Sequence, residues 1–171
     1  MENTNLIRLS KQHPNHAGIY WVNKARTDNT NTRYALQYIK IDNDQAIATD
    51  GHRMHIYKLD TVIPDGHYQV VTCNKKEITL LRTEEEITFP DYKRVIPESD
   101  GTSKVVYVNG FPDKIAQSYT TLVRAMEKNT VNYQYYSDIA SAGIEWKAEI
   151  VNTTGYEPIK LTSENGDYLA V

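Results

Sequence analysis

Apolar and polar residues alternate in short runs along most of the chain, the pattern of half-buried strands. Tyr34–Ile41, Ala46–Ala48, Met54–Leu59, Tyr68–Cys73 and Glu77–Arg82 read as extended segments. Turn chemistry at Asp42-Asn43-Asp44 and Pro64-Asp65-Gly66 separates them. Ahead of them, Leu6, Ile7 and Ser10 share one side of a short predicted helix over residues 4–12, stopped by Pro14, and a polar loop follows from Asn23 to Thr32. Pro90 and Pro97 fall within the eleven residues Ile87–Pro97, which therefore read as an irregular connector.

Beyond the connector the pattern sharpens. Lys104–Val108 predicts a strand, and Pro112–Lys128 a helix whose Ile115, Tyr119, Leu122, Val123 and Met126 recur at helical spacing, with Pro112 in the tolerated first turn. On the same helix Lys114, Gln117, Thr121, Arg124 and Lys128 fall within an arc of roughly 80° that contains no carboxylate, a weak basic stripe. Asn132 to Ala142 reads as a second short helix, with Asn132 as N-cap and Gly143 past its end. Ile144, Trp146, Ala148 and Ile150 then alternate with Glu145, Lys147 and Glu149 as in a half-buried strand, and Ile159 and Leu161 continue the β pattern. The expected class is α+β, an antiparallel sheet with two helix-containing halves, 1–97 and 98–171, in a single domain 1–171.

Composition narrows the chemistry. The 171 residues, 40% hydrophobic and 24% charged with a net charge of -3, exclude a disordered chain and a grossly basic nucleic-acid binder. Charge divides as +1 over residues 1–97 and -4 over 98–171, so neither half is an electrostatic tail. Thirteen of the seventeen aromatic residues are Tyr, which suits strands and wet contact surfaces. One cysteine, Cys73, rules out an internal disulfide and fits a cytoplasmic protein. No apolar run approaches the ~18 residues of a membrane span, and no glycine-rich phosphate loop occurs. Asp50, His52 and His55 are the residue types that hold metals, but on an extended segment His55 points away from the other two, so surface or hydrogen-bonded histidines are expected. No cofactor, metal or catalytic constellation is expected. A small enzyme built on Asp50, His52 and Cys73 is the weakest reading.

Two segments stand apart: the polar, tightly turning Ala48-Thr49-Asp50-Gly51-His52-Arg53-Met54, and Phe89-Pro90-Asp91-Tyr92-Lys93-Arg94-Val95-Ile96-Pro97, an aromatic-rich, proline-stiffened connector that places apolar and cationic groups together. By themselves they would be a hairpin turn and a stiff linker. Together and in this order they resemble the T-D-G-H-R-L and F-P-D-Y-x-R-V-L-P motifs of the bacterial replicative sliding clamp, the DNA polymerase III β subunit. Arg33-Tyr34-Ala35-Leu36 is similar to that family's R-Y-x-L strand start. Asn132, Tyr135 and Asp138 are similar to its N-x-x-Y-x-x-D helix, and Glu157-Pro158-Ile159 with Asn165-Gly166-Asp167-Tyr168-Leu169 to its last hairpin.

The resemblance implies a DNA-clamp-like, non-enzymatic protein that takes short linear motifs of DNA polymerase or repair proteins in a groove. Arg33, Leu36, Thr49, Gly51, His52, Arg53, Met54, Pro90, Arg94, Val95, Asn132, Tyr135 and Pro158 would be its pocket positions. Among them Leu36, Met54, Pro90, Val95 and Pro158 would form an apolar floor, and Arg53 and Arg94 would face the peptide. Lys114, Arg124 and Lys128 are the candidates for weak contact with double-stranded DNA, and self-association is a further expectation. Three departures are visible. Family members are about twice this long, Cys73-Asn74-Lys75-Lys76 stands where they carry a longer helix-containing stretch, and the sequence stops before their final M-P-M-like strand. These departures keep a second reading open, a stand-alone module that competes for clamp partners without binding DNA.

Overall fold

Strand β1 (Leu6–Ser10) forms where the pattern predicts a helix. Ile7 and Leu9 stand opposite Leu80 and Ile78 of β6 (Glu77–Arg82), so Leu9 is buried while Arg8 and Ser10 face out. The pairing with β6 overrides the local spacing. The computed structural model describes residues 5–28, 34–99, 101–127, 130–151 and 158–171. These form two compact units, Met1–Pro90 and Asp91–Val171, divided inside the proline-bearing connector.

In the first unit, helix α1 (His16–Val22) lies across β3 (Gln45–Thr49) and β4 (Met54–Lys58). No side-chain cap closes its start, because Asn15 is spent elsewhere. The Asn15 amide donates to the carbonyl and hydroxyl of Thr61 at 2.7 and 3.0 Å, and its oxygen accepts from the backbone of Asp60 and Thr61 at 2.8 and 3.2 Å. That fully buried side chain staples the helix entry to the chain after β4. With β2 (Tyr38–Asp42) and β5 (Gly66–Cys73), the strands order β1-β6-β5-β2-β3-β4, every pairing antiparallel. Ile19, Val22, Ile39, Ile47, Ile78 and Leu80 fill the core.

The second unit repeats the scheme without the β5–β6 hairpin. β7 (Lys104–Asn109), helices α2 (Ile115–Met126) and α3 (Tyr133–Ala140), β8 (Glu145–Ile150), β9 (Ile159–Ser163) and β10 (Tyr168–Ala170) give the order β7-β8-β9-β10. Removing the hairpin from the first unit would leave β1-β2-β3-β4, the same order after a strand and a helix. Helix α2 packs on β7 through Ser118, Leu122, Ala125 and Met126, all buried. Asn132 caps α3 as its sequence position predicts, accepting from Gln134 N at 2.8 Å. A β-carbon at Gly110 would stand 2.7 Å from the carbonyl oxygens of Ala140 and Ile144, so the chain after β7 tolerates only glycine there. No helix among the described residues is long and apolar enough to cross a membrane.

Candidate functional site

The β3–β4 turn is built from its own side chains. Thr49 and Met54 are paired across the hairpin. Between them Thr49 Oγ1 donates to Arg53 O at 2.6 Å and accepts from Gly51 N at 3.0 Å. Asp50 Oδ1 accepts from the backbone of His52 and Arg53 at 2.9 and 3.0 Å, an Asx-type turn. The Arg53 guanidinium, 11% exposed, meets Asp50 Oδ2 at 3.2 Å and donates to Lys24 O at 2.6 Å. Gly51 adopts φ +91°, a region closed to most side chains. Its missing β-carbon would lie 3.8 Å from Leu36 Cδ1, ordinary contact, so the dihedral and not the space calls for glycine.

The turn thus brings Leu36, Thr49, Gly51, Arg53 and Met54 together in the first unit, with Gly51 and His52 exposed over buried Leu36 and Met54. Arg33 lies outside the described residues. Pro90 is half-buried, and the ring before it is held: Phe89 lies 5.9 Å from the His67 ring and 5.8 Å from Lys40 Nζ, two residues paired between β5 and β2. Burial, and then the Lys40 charge, push the His67 imidazole below its usual range. His55 is fully buried, stacked on Trp21 with centroids 4.1 Å apart, while His52 is exposed and Asp50 is occupied by the turn. Among the described residues no three side chains are grouped to hold a metal ion.

The second unit holds the other expected positions. Tyr92–Val95 is a short 3-10 turn in which Tyr92 is buried and Val95 is exposed. The Arg94 side chain is 83% exposed and only 3.9 Å from Asp91 Oδ2, a loose pairing. Asn132 and Tyr135 sit at the start of α3, exposed and half-buried, and Pro158 is exposed. On α2, Lys114, Gln117, Thr121 and Arg124 are all exposed, and Lys114 lies 3.7 Å from Asp113. Lys128 lies outside the described residues.

A feature the motif reading missed is a polar groove of about 830 Å3 in the first unit, lined by Tyr34, Gln37, Tyr38, Glu84 and Glu85 among others. None of the expected pocket positions among the described residues lines it. The signal in the sequence is the acidic run Glu84-Glu85-Glu86 directly after β6. Tyr34 belongs to a 3-10 turn, Tyr34–Gln37, that replaces the start of the extended run predicted over Tyr34–Ile41.

No protein-family model matches the sequence, and no curated protein matches it. Solved structures do. The DNA polymerase III β chain of Streptococcus pneumoniae superposes with a TM-score of 0.63 at 12% identity, covering 99% of this chain and 64% of that one. The β subunit of Thermotoga maritima gives 0.59 at 15% identity, covering 99% and 65%. A Pseudomonas aeruginosa sliding clamp bound to griselimycin gives 0.57 at 13%, again covering 99% and 65%. The fold is that of the bacterial sliding clamp. At 12% to 15% identity the likeness is one of fold, and this chain spans 64% to 65% of the length of those clamps.

Proposed function

We propose that this chain is a non-enzymatic, clamp-like protein of DNA replication or repair, working in the cytoplasm, that binds short linear peptides of polymerase-type partners. The contact residues proposed for it are Arg33, Leu36, Thr49, Gly51, His52, Arg53, Met54 and Pro90 in the first unit, and Arg94, Val95, Asn132, Tyr135 and Pro158 in the second. The observation that carries this reading is the turn itself. Its side chains lock one conformation that leaves Gly51 and His52 accessible above apolar Leu36 and Met54. A preformed surface does not spend binding energy on its own ordering, which is what a short peptide with few anchors needs. The sliding-clamp fold, one example of which was solved with griselimycin bound, supports the same reading.

Duplex DNA is assigned a weak, non-specific role through Lys114 and Arg124. A second reading, a module that competes for clamp partners without touching DNA, is favoured by one observation: Lys114 already has Asp113 beside it. The test of the peptide reading is a fluorescence-anisotropy titration with a Gln- and Leu/Phe-containing peptide, with saturation expected near about micromolar concentration. No saturable binding up to millimolar peptide, by a protein shown to be folded, would remove it. Mass measurement in solution, with and without that peptide, reads self-association directly.

A further inference from the structure

We propose that the polar groove of the first unit accepts a cationic side chain, an arginine or lysine flanking the apolar anchor of a bound peptide. The inference rests on the peptide reading for the chain that carries the cation, and on the groove alone for the charge. The groove already contains cations, but they are committed. The Arg26 guanidinium meets Asp28 at 2.5 Å and donates to the carbonyls of Thr27 and Gln37 at 3.2 and 3.3 Å, and that of Arg82 donates to Asp65 O at 2.6 Å. Glu84 and Glu85 receive only neutral donors among the described residues, the Asn5 amide and the Tyr34 hydroxyl, each at 3.1 Å. Among the described residues neither carboxylate forms an ion pair.

Aromatic residues line the same groove. Tyr34 is 51% exposed, and its ring meets that of Tyr38 edge-on at 5.1 Å with their hydroxyls hydrogen-bonded, so the half-exposed face is held in place. A planar guanidinium takes both kinds of partner, carboxylate oxygens in its plane and a ring against its face. Burial first, then the Tyr34 hydroxyl and the Glu85 charge, push the Tyr38 phenol far up, so Tyr38 stays neutral and keeps its bond to Tyr34. A metal ion is the other cation to weigh, and no three ligating side chains are grouped for one among the described residues. The position also fits: Tyr34 and Gln37 share one 3-10 turn with Leu36, which abuts Gly51. A peptide anchored over Gly51 would lie beside the 3-10 turn that carries Tyr34 and Gln37 into the groove.

The experiment compares two labelled peptides with the same Gln and Leu/Phe anchors, one flanked by two arginines and one by two glutamines. On the natural protein at low salt the arginine-flanked peptide should bind about three- to tenfold tighter, the range of two partly exposed ion pairs. That ratio should fall to about one in Glu84→Gln/Glu85→Gln, whose substitutions are exposed, and should shrink in Tyr34→Ala. Equal affinities on the natural protein, or a preference that survives in the double variant, would overturn the proposal. If the glutamine-flanked peptide does not bind at all, the peptide reading fails by itself. The groove is then read by NMR with an Arg-Arg dipeptide amide, where shifts confined to Tyr34, Gln37, Glu84 and Glu85 support it and shifts elsewhere, or none, overturn it.

Discussion

Gly18 faces the ring of Tyr57 so closely that a β-carbon at position 18 would stand 2.2 Å from Tyr57 Cε1. The ring cannot swing aside cheaply, because it is 3% exposed and its hydroxyl donates to Asp60 Oδ2 at 2.6 Å. Two effects therefore compete in Gly18→Ala. Helix propensity gains about 1 kcal/mol, and overpacking costs about 1–3 kcal/mol or more at such a distance. The clash should win, lowering the unfolding free energy by about 1–2 kcal/mol. Tyr57→Leu in the same chain should restore part of the loss in a denaturant titration. A Gly18→Ala protein more stable than its parent would show that α1 stands off the sheet.

The same contact explains what the sequence hid. Helix α1 gave no readable signal because it is seven residues long, holds a glycine that packing demands, and follows an asparagine that bonds to Asp60 and Thr61 instead of capping. β1 was misleading in the opposite sense, since its two core contacts come from β6, some seventy residues away. Where the period is set within one element, as in Glu77–Arg82, β8 and α2, pattern and structure agree. The T-D-G-H-R segment was legible because its turn is closed by its own side chains, Thr49 and Asp50. The polar groove was not, since its walls come from four separated stretches of chain, Asn5, residues 26–38, Gln69 with Val70, and residues 81–85.

Leu122 is 1% exposed at the centre of the α2 face. Leu122→Ala should cost about 2–5 kcal/mol of stability, transfer and cavity terms together. The exposed neighbour Thr121→Ala serves as the control and should change little. Equal effects of the two substitutions would take α2 out of the core.

Glu149 is buried on β8 yet charged, because Lys147 Nζ lies 2.6 Å from one of its oxygens, and Ser99 Oγ and Lys160 Nζ lie 2.9 and 3.3 Å from the other. The Lys147 bond dominates, burial opposes it, and the carboxyl is pulled down from 4.5 to about 2. A depressed acid stabilises the fold above its unfolded pKa, and that contribution is lost as pH falls from about 5 toward 2. Solvent around the half-exposed lysine screens the pair, so the loss should be on the order of 1 kcal/mol. Unfolding titrations at pH 6, 4 and 3 should show this slope, and Glu149→Gln should flatten it. Parallel slopes in the two proteins would mean that the cluster is not coupled to folding.

Lys114 and Arg124 are exposed on one face of α2. Each phosphate neutralised contributes a slope of about -0.9 in log K against log salt, so two contacts predict about -2. Lys114→Glu/Arg124→Glu should abolish the association without changing stability. Duplex binding that is tight and insensitive to salt, or that survives the double change, would place DNA on another surface.

Arg53 and Arg94 occupy equivalent roles in the motif reading but different situations in the fold. The Arg53 side chain is 11% exposed and tied to Asp50 and Lys24 O, whereas that of Arg94 is 83% exposed and loosely placed near Asp91. Arg53→Ala removes bonds that shape the turn, so it should cost about 1–3 kcal/mol of stability and weaken peptide binding with it. Arg94→Ala touches no core and should leave stability within about 0.5 kcal/mol. Its effect should fall on peptide affinity, about three- to tenfold at low salt and less as salt rises. A double-mutant cycle between Arg94→Ala and Met54→Ala, read as peptide affinity, then asks whether the two segments serve one ligand: non-additivity beyond about 0.5 kcal/mol is expected if they do. Strict additivity, with Arg94→Ala binding the peptide as tightly as its parent, would leave the second motif a stiff linker and confine peptide recognition to the first unit.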